Sequence, residues 1–153
     1  MRTTTRRHVL KQGSALAVLT ALGGTGLLAT QARAAEANPF EAKNLDELYK
    51  ALGGKPQAST DIAITSPDIA ENGAVVPISV TSSLPKTQEI YIVVEKNPSP
   101  LSAAFVIHEG TEPFVSTRTK MGESTDVHAI VKADGKLYSV VKETKVTLGG
   151  CGG

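Results

Sequence analysis

Cysteine is all but missing from this chain. Among 153 residues there is one, Cys151, which excludes an internal disulfide framework and any site built from paired cysteines. Tryptophan is absent and aromatics make up 4% of the residues, so a core has to be built from Val, Ile, Leu and Ala. No apolar run reaches the roughly 20 residues that span a bilayer. The usual enzyme signatures are also missing: there is no H-E-x-x-H, no G-x-S-x-G elbow, and no G-x-G-x-x-G or P-loop after a strand. His108 and His128 fall in separate predicted strands without ligand spacing, and the acidic residues are scattered over predicted turns and strand faces. The body therefore offers no self-sufficient active site, and no catalytic residue, resident cofactor or metal is expected.

What is present begins with an export signal. Thr5-Arg6-Arg7-His8-Val9-Leu10-Lys11 is a charged segment, Ala15 to Thr30 is mildly apolar, and Ala32-Arg33-Ala34 is a small-x-small cleavage signal. The pair Arg6-Arg7 points to the twin-arginine route. Gly23, Gly24 and Gly26 in the apolar run, and Arg33 beside the cut, agree with that route. Residues 1–34 are read as the signal, with cleavage between Ala34 and Ala35 and delivery to the periplasm.

Removing those residues changes the charge. The signal holds five basic side chains and no acidic one, so the mature chain has 11 basic against 15 acidic residues, a net −4 in place of +1. That balance argues against nucleic acid or an anionic membrane as partner. An oxidising compartment usually pairs or eliminates thiols, so one unpaired cysteine suggests intermolecular pairing or a reactive thiol.

One helix is expected in the mature chain. Leu45, Leu48, Tyr49 and Leu52 share a helical face, with Asn44 as N-cap and Gly53 as the stop. Two or three turns are marginal alone, so this helix should pack on a larger body. That body reads as strands. Ile62 and Ile64; Val76, Ile78 and Val80; Ile90, Ile92 and Val94; and Val127, Ala129 and Val131 alternate at period two. Further β-rich runs lie at Ala103 to His108, Pro113 to Met121 and Lys136 to Leu148. Asp134-Gly135 is a type I′ hairpin signal, and Pro77 places its strand on an edge or beside a bulge.

About seven short strands without βα alternation predict an all-β, immunoglobulin-like antiparallel β-sandwich with one short N-terminal helix, over residues 35–148. Lacking Trp and a cysteine pair, it is not a true immunoglobulin domain. Tyr91, Val93 and their neighbours could serve a partner face or a core.

Residues 149–153 are then left as a glycine-rich arm, Gly149-Gly150-Cys151-Gly152-Gly153. Glycine imposes little conformational preference, so the arm should be flexible enough to enter narrow clefts. Fully extended, five residues reach roughly 17 Å at about 3.4 Å each. The nearest cation in sequence is Lys145, and a nearby carboxylate would disfavour the thiolate, so the thiol should react once a partner's site supplies positive charge or a metal.

Two stretches resemble a known family. Val146-Thr147-Leu148-Gly149-Gly150-Cys151-Gly152-Gly153 is similar to the terminal signature of SoxY, the sulfur-carrier family of bacterial thiosulfate oxidation. Pro67-Asp68-Ile69-Ala70-Glu71-Asn72-Gly73-Ala74-Val75-Val76-Pro77 resembles that family's strand entry, P-x-I-A-E-N-G-x-x-V-P. The resemblance implies a heterodimer with SoxZ and covalent attachment of thiosulfate at Cys151. It implies that a haem complex, SoxXA, joins thiosulfate to the thiol and that the manganese hydrolase SoxB releases sulfate. In many systems the molybdenum–haem dehydrogenase SoxCD then oxidises the remaining sulfane sulfur. Two other readings stay open. One is an exported β-sandwich interaction module whose Cys151 only tethers or dimerises it. The other compares the Gly-Gly end with sulfur carriers that form a terminal thiocarboxylate, but those need ATP-dependent activation that an exported protein would lack.

Overall fold

The computed structural model describes residues 38–147. They open with a 3-10 turn, Pro39–Glu41, and helix α1, Leu45–Leu52. Nine strands follow: β1 (Gln57–Ala58), β2 (Ile62–Thr65), β3 (Ile69–Ala70), β4 (Val76–Ser82), β5 (Thr87–Val94), β6 (Leu101–Val106), β7 (Phe114–Thr119), β8 (Thr125–Ala133) and β9 (Lys136–Val146). They form two sheets, one ordered β1-β9-β8-β5-β6 with β3 added beside β9, the other β2-β4-β7. Seven strands have four residues or more, as the periodicity predicts.

The alternating residues face each other between the sheets. Val76, Ile78 and Val80 of β4, Ile90, Ile92 and Val94 of β5, and Val127, Ala129 and Val131 of β8 are all at 0% exposure in one cluster. Ile62, Ala70, Val115, Met121 and Ala133 complete it without an internal disulfide. At about 1.5–3 kcal/mol per fully buried branched side chain, this cluster is the main source of stability.

Helix α1 covers the outer face of the larger sheet. Its start is capped by Asn44, whose side chain accepts from the Glu47 backbone N–H at 2.9 Å, and it stops at Gly53, whose φ of 99° is the left-handed cap. Leu48 is fully buried among Tyr91, Val93, Leu101 and Ile130, while Leu45, Tyr49 and Leu52 pack around it. The open choice for Tyr91 and Val93 is thereby resolved: they belong to a second core under α1.

Three expectations need correction. The sandwich is not wholly antiparallel, because β1 and β3 pair in parallel with β9. Two residues are too short to display a period; their pairing comes from the long strand they meet. The strand predicted to include His108 stops at Val106. Pro77 lies in β4, the middle strand of its sheet, although β2 pairs only with Ser79 to Ser82. At Pro77 the β2 side is already vacant, so the missing N–H breaks no ladder bond there. At the β8–β9 hairpin, Asp134 and Gly135 have φ of 48° and 75°, the two positive angles of the type I′ turn.

Candidate functional site: the root of the cysteine arm

Cys151 and its flanking Gly149, Gly150, Gly152 and Gly153 lie outside the described residues, as do Arg6, Arg7, Ala34 and Ala35 of the signal reading. What the structure describes is the platform four residues before the cysteine. Strand β9 is paired with β8 over all but its last two residues, from Ala133↔Lys136 to Thr125↔Thr144. Tyr138, Val140 and Val146 turn into the main core, which fixes the strand's register.

The last turns of β9 are clasped from two directions. On one side β3 pairs Ile69 with Lys145 and Ala70 with Val146. The Lys145 N–H donates to the Asp68 carbonyl at 2.9 Å and the Thr147 N–H to the Ala70 carbonyl at 3.0 Å. The Thr147 hydroxyl donates to the Glu71 carbonyl at 3.0 Å. On the other side the Val146 N–H donates to the Ser124 hydroxyl at 2.9 Å. Backbone groups at the root are thus bonded up to the last described residue.

The segment that forms this clasp is itself tied down. The Ser66 and Thr144 hydroxyls share a hydrogen bond of 2.9 Å in a buried setting. Lys142 donates to the Ser66 carbonyl at 2.6 Å and pairs with Asp68 at 3.0 Å. Asn72 closes a local turn by accepting from the Ala74 N–H at 2.8 Å, and the Met121 N–H donates to the Gly73 carbonyl at 2.7 Å. The two stretches singled out in the sequence, 67–77 and 146–153, therefore meet: the first supports the start of the second. Sequence reasoning missed Ser66, Ser124 and Thr144 as parts of the site. Ser66 and Ser124 belong to no periodic run or motif in the sequence, and a threonine in a strand carries no signal of its distant partner.

The titratable groups with the largest shifts lie apart from this clasp, on the outer sheet face and the helix that covers it. Glu89 lies opposite Lys132 in the ladder, and their side chains pair at 3.0 Å, while the Tyr91 hydroxyl donates to the same carboxylate. Burial raises the Glu89 carboxyl, but the bonds from Tyr91 and Lys132 outweigh it and hold the group below its ordinary range. Burial first, and then the hydrogen bond to Glu89 and its charge, push the Tyr91 phenol well up. Burial also raises Tyr49, helped by Glu95 and Asp46. His128 is buried and contacts Glu95 at 3.0 Å through Nε2. Among the described residues no three His, Cys, Asp or Glu side chains gather as metal ligands.

Comparison with known proteins meets this geometry. The family model described as sulfur oxidation protein SoxY matches residues 48–151, ending on the cysteine. The solved structure of the sulfur carrier protein SoxY from Chlorobium limicola f thiosulfatophilum is 41% identical, with a TM-score of 0.61 over 67% of this chain and 94% of that one. A superoxide reductase (neelaredoxin) from Ignicoccus hospitalis is 18% identical over 56% of this chain and 78% of its own, with a TM-score of 0.50, a likeness of fold alone. No curated protein matches. With the model spanning most of the chain and both signature stretches joined at the arm's root, the chain belongs to the SoxY family.

Proposed function

We propose that this protein is a non-catalytic carrier that holds sulfur intermediates of thiosulfate oxidation on Cys151. The observation that supports this most is that the family match runs through to Cys151, while the strand feeding it is fastened by bonds at its last described residues. The similar protein from Chlorobium is a sulfur carrier by its description.

The chemistry assigned to the thiol balances with partners supplying the oxidant and water. Cys151–SH and thiosulfate form a sulfur–sulfur bond, releasing one proton and two electrons to a haem partner, the role of SoxXA. Water then cleaves the terminal sulfonate as sulfate, the role of the manganese hydrolase SoxB, and leaves a persulfide on the thiol. SoxCD would oxidise that sulfane sulfur, and SoxZ would be the stable partner. The glycines beside Cys151 leave the sulfur without bulky neighbours, which suits several different receiving clefts. Export through Arg6-Arg7, with cleavage between Ala34 and Ala35, would place the carrier in the periplasm.

Intact-mass spectrometry of protein from thiosulfate-grown cells tests the reading. Thiosulfate- and sulfur-sized additions are expected on the natural chain and none on Cys151→Ser, which should also abolish thiosulfate turnover. Unmodified protein, or a Cys151→Ser strain that still oxidises thiosulfate, overturns it. A reducible dimer as the only product would favour a tethering role.

A further inference from the structure

The edges of the two sheets are not alike. β1 and β3 have two residues each, β2 has four, and β7 carries Arg118. Short strands and charges are the usual guards against pairing with another chain. β6 has neither. It pairs with β5 on one side and ends the larger sheet on the other. Its run Leu101-Ser102-Ala103-Ala104-Phe105-Val106 contains no charge, proline or glycine.

The ladder shows which groups are open. The Ile107 N–H donates to the Gln88 carbonyl at 2.8 Å, and Glu89 lies opposite Val106. Backbone groups alternate in direction along an antiparallel strand, so Phe105 and Ile107 turn theirs to β5. Ala104 and Val106 turn theirs away, and those N–H and C=O groups have no backbone partner among the described residues. Before them the register skips Ser102, which ends the regular edge. Val106, at 70%, is also the most exposed large apolar side chain among the described residues.

An open ladder is completed by another strand, and this one matches its own copy. With a two-fold axis at Phe105, antiparallel pairing sets Ala104 of each copy opposite Val106 of the other, and both pairs exchange hydrogen bonds. The large exposed side chain then packs against the small one. Charge favours the same arrangement. Antiparallel pairing carries Glu109 toward the uncharged Asn97-Pro98-Ser99-Pro100 of the other copy, whereas parallel pairing would set Glu109 beside Glu109.

We propose that two copies of this chain associate through β6, which joins their larger sheets into one. This goes beyond the carrier reading and does not depend on Cys151. A strand of this length makes a small interface, below the ~1,200 Å² of stable complexes, so the association should be reversible.

Sedimentation equilibrium of the full chain under reducing conditions tests it. The mass should rise from one chain to two with concentration, and Cys151→Ser should behave alike. Ala104→Pro removes an N–H that β5 does not use, and should weaken association at least about tenfold. Two double variants test the register. Ala104→Lys with Val106→Lys sets like charges opposite each other and should also weaken association at least about tenfold. Ala104→Lys with Val106→Glu sets opposite charges there and should stay within about threefold of the natural chain. A chain that is monomeric at every concentration overturns the proposal, including one that pairs only with a different protein. So does a folded Ala104→Pro chain that associates normally, or a like-charge variant that associates as well as the opposite-charge one.

Discussion

Ser66 and Thr144 stand 78 residues apart in the chain, yet their hydroxyls share a 2.9 Å hydrogen bond that water does not reach. Thr144 is at 0% exposure and Ser66 at 5%. The bond welds the turn before β3 to the strand that leads to Cys151, so it is where the arm's platform is most open to a single substitution.

Thr144→Val keeps the shape of the side chain and leaves the Ser66 hydroxyl buried without its partner. A loss of about 1–3 kcal/mol is expected, read as a fall in melting temperature of about 4 °C per kcal/mol. Pairing it with Ser66→Ala removes the orphaned group and should recover much of the loss. Thermal unfolding of the two single variants and the double variant measures the coupling directly.

Leu48 is the anchor of α1 in the second core. Leu48→Ala should destabilise the domain by about 2–5 kcal/mol, because a rigid sheet face below it cannot collapse into the gap. Asn44→Ala removes only the helix cap and should cost about 1 kcal/mol. Urea unfolding should rank the two in that order; a reversed order would mean that α1 is held by its end and not by its buried face.

Acidification should weaken the fold partly through Glu89. Its carboxyl is held below the ordinary range in the folded chain, so the unfolded chain binds the proton more readily. The stabilisation is therefore present above the unfolded carboxylate value of about 4.3 and is lost as pH falls through the lower folded value. Urea midpoints measured from neutral to acid pH should decline in that window, and Glu89→Gln should shallow the decline. An identical profile for the variant would assign the acid sensitivity to other carboxylates, such as Glu47, which the Lys43 backbone N–H and the Asn44 side chain also hold low.

The long strands could be read from the sequence because β4, β5 and β8 each bury alternate side chains, and a period of two survives any detail of topology. Helix α1 was equally readable, since its cap, its apolar face and its stop all lie within ten residues. Strand β3 could not be foreseen: two residues have no period, and only β9, some 75 residues on, makes them a strand. The place of Pro77 is hidden from the sequence for a related reason. Its chemistry demands an unpaired N–H side, and the early end of β2 supplies one in the middle of a sheet. The signature stretches were visible as patterns, but their meeting at the arm's root depends on pairing that no local rule encodes.

Strand β9 is gripped by β8 along one edge and, at its two ends, by β1 and β3 along the other. Ladder bonds run across the strands, so a pull at Thr147 along the strand axis loads them side by side in shear instead of peeling them one after another. The domain is therefore built to resist traction from that end. On the carrier role proposed for Cys151, repeated withdrawal from a receiving cleft would be a mechanical demand, and the two short parallel strands at the ends of β9 are where the fold would meet it.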